Sequence, residues 1–382
     1  MASSNLAAGL IANGYEVTVA TRAHPSRSGN EMPSARVAEF AVDGSASARF
    51  KFTGEVERYV EFVRAFACDF IVCQAWDAWS TSLAQKAFRD NPAKKVLVSH
   101  GFTSHLLNFH PRPFFGLGVW LGHLPIALAV PWIMRSYDRV IFLSERRDFR
   151  RFFDHTLAHW TSYQSHTSIP NGVWLQQFES RELFFRDRFK IKTGRIVLSV
   201  ANYSDRKNQL KALETFAECA PEDSTLVFIG SEYNEYAAKL EAKLRELRGQ
   251  GFESPVKILH GLERKDVCAA YQESTIFLLT AKAETQPIVL LEAMANRLPF
   301  VSTNTGCVRE LIGGIVVDSK KQLVAALQRL LNDEAERKRL GQSGRALIER
   351  EYDWPRIIDS YVRLLETLNP TPRYIRRAAQ EG

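Results

Sequence analysis

The stretch 281–306, AKAETQPIVLLEAMANRLPFVSTNTG, holds the residues whose types and spacing come nearest to chemistry. Glu284 follows a short apolar run, Pro287 suits the first position of a helix, and IVLLEAMA continues in helical composition. Glu292 then falls about one and a half turns inside that helix. One carboxylate sits at the helix mouth and one deeper. The mouth offers free backbone N–H groups and the positive end of the helix dipole, which together favour a phosphate. Taken alone, the E-x7-E spacing has a plainer explanation: Glu284 complements the dipole and Glu292 is a solvated helix residue. Other chemistries lack residues. The five cysteines, Cys68, Cys73, Cys219, Cys268 and Cys307, form no CxxC pair and are odd in number, so neither a zinc signature nor a disulfide framework is present. Their usage suits a reducing cytosol. No D-x-D motif follows a strand, and cationic side chains with a helix dipole can replace a metal, so metal independence is expected.

The elements that must position these groups alternate along the chain. Runs 15–21, 69–74, 94–100 and 138–144 read as Val/Ile-rich strands, each followed by a helix-like stretch. After residue 190 the rhythm restarts at 195–201, 224–230, 256–261, 275–280 and 298–304. Near-continuous apolar strands alternating with helices imply parallel sheets covered on both faces. Two such series imply two Rossmann-like domains facing across a cleft, with ligands beyond the carboxyl ends of the strands. A polar, basic and aromatic connector at 175–192 reads as a hinge. A final helical pattern runs through Ile357, Ile358, Tyr361, Leu364, Leu365 and Leu368 until Pro370 and Pro372. The expected division is 1–187, 188–355 and a returning helix in 356–382.

With that context, E-x7-E on a strand–loop–helix followed by EAMA-x-x-x-PFVSTNTG resembles the signature of family 4 (group 1) glycosyltransferases, the large retaining group with the GT-B fold. The resemblance covers nearly the whole chain. SVANYSDRKN (199–208) is similar to the family's first C-domain strand and phosphate-binding loop, and LVFIGSE (226–232) to the strand ending in Gly230. The segment 258–281 is similar to the one that contacts the nucleotide base near Leu262. VLVSHG (96–101), RVIFLSE (139–145), SIPNGV (168–173) and Asp353-Trp354 match further motifs in order. The resemblance implies that Glu284 contacts hydroxyls of the transferred sugar and Glu292 accepts from the donor ribose. Two carboxylates beside a diphosphate are tolerable when their partners are hydroxyl donors. It also implies that Lys207 neutralises the leaving diphosphate, that backbone amides near Gln286 and Ile288 assist, and that His100 lies near the reacting sugar.

The chain departs from the pattern at two places. The usual Gly-Arg pair of the phosphate loop appears as Ala201-Asn202, and Asn202 can hydrogen-bond a phosphate without neutralising it. Arg206, beside Lys207, is the candidate substitute, and Pro287 removes one amide donor. At the start, NLAAGLIANG followed by YEVTVAT resembles the first helix and second strand of the N-terminal domain, so the first strand is expected to be missing and the natural chain to be longer by roughly 20 residues.

The 382 residues carry a formal charge of +7, of which +5 lies in residues 1–190. So diffuse an excess does not argue nucleic acid; it favours an acidic partner or an anionic membrane surface. Of 24 Phe, 19 precede residue 190, as do six of seven Trp, which gives either a large aromatic core or a sugar-stacking acceptor surface. The segment 113–134 has no Asp, Glu, Lys or Arg but contains Pro125 and Pro131, so a buried or interfacial helix pair is expected rather than a span. Arg146, Arg147, Arg150 and Arg151, placed on a helix, would add a basic face for peripheral membrane contact. The expected function is transfer of a sugar from a nucleotide diphospho-sugar to a glycan or lipid-linked acceptor, without cofactor, in surface polysaccharide or lipopolysaccharide assembly at the cytoplasmic face. The alternatives are a nucleotide-sugar 2-epimerase on the same fold and a non-catalytic nucleotide-sugar or glycan binder.

Overall fold

Alternate residues of each central strand feed two different cores, which is what a parallel sheet covered on both faces requires. In the second half of the chain Ile196, Leu198, Val227, Ile229, Phe277 and Leu279 enter one core. Their neighbours Val197, Leu226, Phe228, Ile276 and Leu278 enter another. The computed structural model describes residues 2–24, 35–44, 51–76, 78–101, 128–147, 152–179, 184–219 and 221–370. The chain forms two α/β units, Met1–Asn171 with Trp354–Gly382, and Gly172–Asp353.

In the first unit, β1 (Thr18–Arg22) pairs in parallel with β2 (Arg36–Phe40), and β3 (Val42–Asp43) pairs antiparallel with β4 (Thr53–Gly54). β5 (Phe70–Gln74), β6 (Lys94–Ser99), β7 (Arg139–Phe142) and β8 (His166–Ser168) form a parallel sheet in that order. Among the described residues the β1–β2 pair is separate from this sheet. Aromatic residues dominate the core here: Phe40, Tyr59, Trp76, Phe88, Tyr137 and Phe142 pack with Leu97 and Val140. The helix Ala2–Ala12 lies against the returning helix Trp354–Leu368, and so closely that a Cβ on Gly9 would meet Ile358 Cδ1 at 2.0 Å.

The second unit has one six-stranded parallel sheet. Its strands are β9 (Arg195–Val200), β10 (Ser224–Gly230), β11 (Val256–His260), β12 (Ile276–Leu279), β13 (Phe300–Thr303) and β14 (Gly314–Val317), ordered β11-β10-β9-β12-β13-β14. β10 is buried at every position, as its unbroken apolar run requires. The chain proceeds outward from β9 to β11, then returns to the other side of β9 with β12. Strand order therefore reverses between β9 and β12, the place where open α/β sheets bind ligands.

Three expectations change. The units divide at 171/172 and 353/354 instead of 187/188 and 355/356. Val173 N donates to Tyr352 O at 2.8 Å, and Phe178, Phe185 and Ile191 are buried in the second unit's core. For the same reason the connector at 175–192 is no hinge where described. Arg146 and Arg147 are not helical, because Ser144 Oγ accepts from Arg146 N in a turn and the helix begins only at Phe153. Arg150 and Arg151 lie outside the described residues, as do 113–127 of the apolar segment. Residues 128–134 are helical, with Leu128 and Trp132 exposed. Among the described residues no helix is long and apolar enough to cross a membrane.

Candidate active site

The two loops at the reversal, one after β9 and one after β12, are tied together by one backbone bond and one threonine hydroxyl. Lys282 N donates to Arg206 O at 2.8 Å, and Thr280 Oγ1 to Asn208 O at 2.8 Å. Buried Gln209 adds bonds from Nε2 to the carbonyls of Ala201 and Asn202. Asn208 turns the first loop into its helix with φ at +55°, a left-handed conformation that asparagine tolerates. Tyr203 anchors the same loop from below. It is buried, and its hydroxyl donates to Leu259 O at 2.6 Å. A Cβ on Gly230 would lie 2.4 Å from that ring, so the glycine is there to admit Tyr203.

These constraints bring Lys207 and Glu284 together. Lys207 Nζ lies 2.5 Å from Glu284 Oε1, with the two side chains 17% and 8% exposed. Glu284 is itself braced by the loop after β13. Its backbone N donates to Thr305 Oγ1 at 2.8 Å, Cys307 N donates to Thr285 O at 2.9 Å, and Thr305 is buried. Gly306 makes the approach possible, since at φ +49° a Cβ there would stand 2.2 Å from Thr285 O.

The helix Ile288–Ala295 opens as the spacing predicts, although Pro287, with ψ near 100°, sits just before its first turn. Among the described residues no side chain caps it. Its first N–H groups therefore point outward from the helix end, a few residues after Glu284, the partner of Lys207. Gln286 and Pro287 are buried and Ile288 is half-buried. Glu292 is not solvated. It is buried and ion-paired at 2.7 Å with Arg264 Nη2, and Arg264 in turn holds Gln177 Oε1 at 2.9 Å and lies 5.4 Å over the Phe178 ring. Burial, together with the neighbouring Glu292 carboxylate, pushes the Tyr271 hydroxyl far above its ordinary value. Each carboxylate of the E-x7-E pair thus has its own cation, and a site with compensated carboxylates can admit an anion.

The remaining expected residues fall in different places. Asn202 and Arg206 are exposed on the loop after β9. Leu262 packs half-buried on the core after β11, where Gly261 N bonds to Ser231 O at 3.0 Å. His100 belongs to the first unit, at the end of β6, where its Nε2 lies 2.8 Å from Gln74 Oε1. Arg264, Tyr203, Thr305, Gly306 and Gln74 were not singled out from the sequence. Only Gly306, in a TNTG turn, carries a local signal; the others act across strands that only the sheet order makes neighbours. Among the described residues no group of three His, Cys, Asp or Glu side chains could hold a metal ion.

Comparisons with known proteins agree with this arrangement. "Glycosyl transferases group 1" matches residues 180–347, and "Glycosyl transferase 4-like domain" matches residues 2–153. Spore coat protein SA of Bacillus subtilis is 28% identical over 211 residues, covering 50% of this chain and 54% of that protein. A GDP-mannose-dependent monoacylated alpha-(1-6)-phosphatidylinositol monomannoside mannosyltransferase of Corynebacterium glutamicum is 26% identical over 213 residues, with the same 50% and 54% coverage. The chain thus spans about half the length of these curated relatives. Among solved structures, the sucrose-phosphate synthase of Thermosynechococcus elongatus superposes with a TM-score of 0.76 at 17% identity, covering 95% of this chain and 91% of that one. HepE of Anabaena in complex with UDP-glucose gives 0.70 at 15%, covering 92% and 100%. Two Rossmann-like units, the reversal-point loops and the two family matches, which together take in most of the sequence, lead to one assignment: the chain belongs to the group 1, family 4 glycosyltransferases and has their GT-B fold.

Proposed function

We propose that this protein transfers a glycosyl group from a nucleotide diphospho-sugar to a hydroxyl of a glycan or lipid-linked acceptor, with retention at the anomeric carbon and without a metal ion. The observation that carries the reading is the Lys207–Glu284 ion pair beside an uncapped helix end at the reversal of strand order. In this reading the diphosphate takes the helix N-terminus and Lys207, while Glu284 turns to hydroxyls of the sugar. The bond from the anomeric carbon to the diphosphate breaks with its electron pair going to the phosphate oxygen. Lys207 and the helix dipole stabilise that growing charge, which is where an electrostatic contribution accelerates the step. The acceptor oxygen bonds to the anomeric carbon on the same face, and its proton goes to the departing phosphate. Glu292, held by Arg264, faces the ribose, and His100 the transferred sugar. The UDP-glucose complex of HepE and the mannosyltransferase among the relatives support a nucleotide-sugar donor.

Peripheral membrane contact at the cytoplasmic face, in surface polysaccharide or lipopolysaccharide assembly, belongs to the same reading. Its support is Trp132, 75% exposed with the Arg135 guanidinium 5.5 Å from its ring, beside exposed Leu128. The test is a thermal-shift screen against nucleotide sugars followed by transfer assays with the stabilising donor. Slow donor hydrolysis without acceptor supports transfer. Epimerisation of the free donor, or full turnover by Glu284→Ala, defeats it.

A further inference from the structure

The turn that carries His100 rests on a buried polar cluster that the transfer chemistry does not use. Asp154 is 1% exposed and has no ion pair among the described residues. Its Oδ2 accepts from Trp76 Nε1 at 2.7 Å and from Ser99 Oγ, and its Oδ1 accepts from His155 N at 3.0 Å. Ser99 Oγ also takes the N–H of Gly101 at 3.1 Å, across a glycine with φ at +85°. Ser99 and Gly101 flank His100, so the cluster fixes the backbone on both sides of it. On the adjacent strand, Gln74 ends β5 in register with Val98, two residues before His100 and on the same face. Ala75 follows with φ at +66°, a left-handed conformation unfavourable for alanine. That twist separates Gln74, which reaches His100 Nε2 at 2.8 Å, from Trp76, which turns to Asp154. A buried carboxylate without a cation is a poor stabilising device, and apolar residues of similar shape would serve a core better.

We propose that Gln74 is a positioning residue for His100, holding its ring as the Nε2–H tautomer, with the Asp154–Ser99–Trp76 cluster fixing the turn beneath it. Gln74 Oε1 can only accept, so the shared proton belongs to His100 Nε2, and Nδ1 becomes the ring's acceptor. An acceptor nitrogen suits a hydroxyl of the transferred sugar and does not suit a phosphate. The proposal rests on the transfer reading for its purpose, but the tautomer is measurable without it.

The experiment is nitrogen-15 histidine spectroscopy of the full chain above the histidine titration range, with His100 assigned by a His100→Gln variant, alongside transfer kinetics. The native protein should show His100 as Nε2–H. Gln74→Leu should shift the ring towards Nδ1–H and lower kcat roughly tenfold, with donor KM changed less than about threefold. Gln74→Glu keeps an acceptor, so it should keep the Nε2–H form, raise the His100 titration and restore part of kcat. A native Nδ1–H ring, or a Gln74→Leu variant unchanged in tautomer and kcat, overturns the proposal. If Gln74→Leu does not fold, the native tautomer and the Gln74→Glu titration decide. A tautomer that behaves as stated in a protein that transfers no sugar defeats the transfer reading and leaves the positioning role standing.

Discussion

Lys207 Nζ and Glu284 Oε1 are 2.5 Å apart although 77 residues separate them in the chain, and both side chains are largely withdrawn from water. The pair exists because β9 and β12 are adjacent in the sheet, which places the two loops side by side at the reversal. A charge pair in this setting has a modest net effect on stability, but removing one partner leaves the other poorly solvated.

Lys207→Met should therefore cost about 2 kcal/mol of stability, and the double variant with Glu284→Leu should recover part of it. The two residues should separate in function. Lys207→Met should weaken nucleoside diphosphate binding roughly tenfold to a hundredfold, the worth of a charge-assisted bond. Glu284→Gln should leave that affinity within a few fold while transfer falls by about two orders of magnitude. Denaturant titration and calorimetric nucleotide binding check both arms.

Gly230→Ala tests the glycine that ends β10 and packs on Tyr203. The new Cβ would meet the Tyr203 ring at 2.4 Å, so the ring must leave its bond to Leu259 O. A loss of about 1–3 kcal/mol is expected, as for an overpacked core. In the Tyr203→Ala background Gly230→Ala should cost almost nothing, since the ring it would meet is gone, so the two changes should be far from additive. Thermal melts of the single and double variants decide this.

Thr305→Val removes the hydroxyl that accepts from Glu284 N at 2.8 Å and leaves that amide without its partner. About 1–3 kcal/mol should be lost, and kcat should fall more than donor affinity because Glu284 is displaced and Lys207 is not. Thr305→Ser should retain both properties. Equal behaviour of Val and Ser at this position would refute the bracing role.

Burial, with His166 nearby, lowers the affinity of His155 for a proton from its ordinary value of 6.5. His155 is fully buried, stacks on Phe142 at 4.3 Å, and its Nε2 has no hydrogen-bond partner among the described residues. A histidine held neutral in the fold takes fewer protons than in the unfolded chain, so its contribution is present above 6.5 and lost as pH falls through the lowered folded value. The first unit should lose stability as pH falls below 6.5, and His155→Phe should flatten that slope. Melting temperature against pH for the two proteins measures it.

Much of this protein was legible in its residues. The two strand series and the helix after Pro287 follow from apolar periodicity and local capping, which act over a few residues; the loop after β9 drew notice only through the family resemblance. The short strands β2, β8 and β14 were not legible, because so few residues carry too little period-two pattern against turns and polar flanks. The hinge reading of the connector failed for a related reason: Phe178, between Gln177 and Glu179, and Phe185, ahead of Arg186-Asp187-Arg188, sit in a charged and polar stretch yet are buried in the fold.

Composition and spacing by themselves determined the α/β class and the two carboxylates, one at a helix mouth and one inside the helix. Tertiary structure alone decided what each carboxylate faces. Glu292 reads as a solvated helix residue until the helix Arg264–Glu273 brings Arg264 against it, and Glu284 meets Lys207 only because β12 returns beside β9. Burial and strand order are properties of the whole packed chain, and ion pairing at short range depends on both, so no local pattern encodes them.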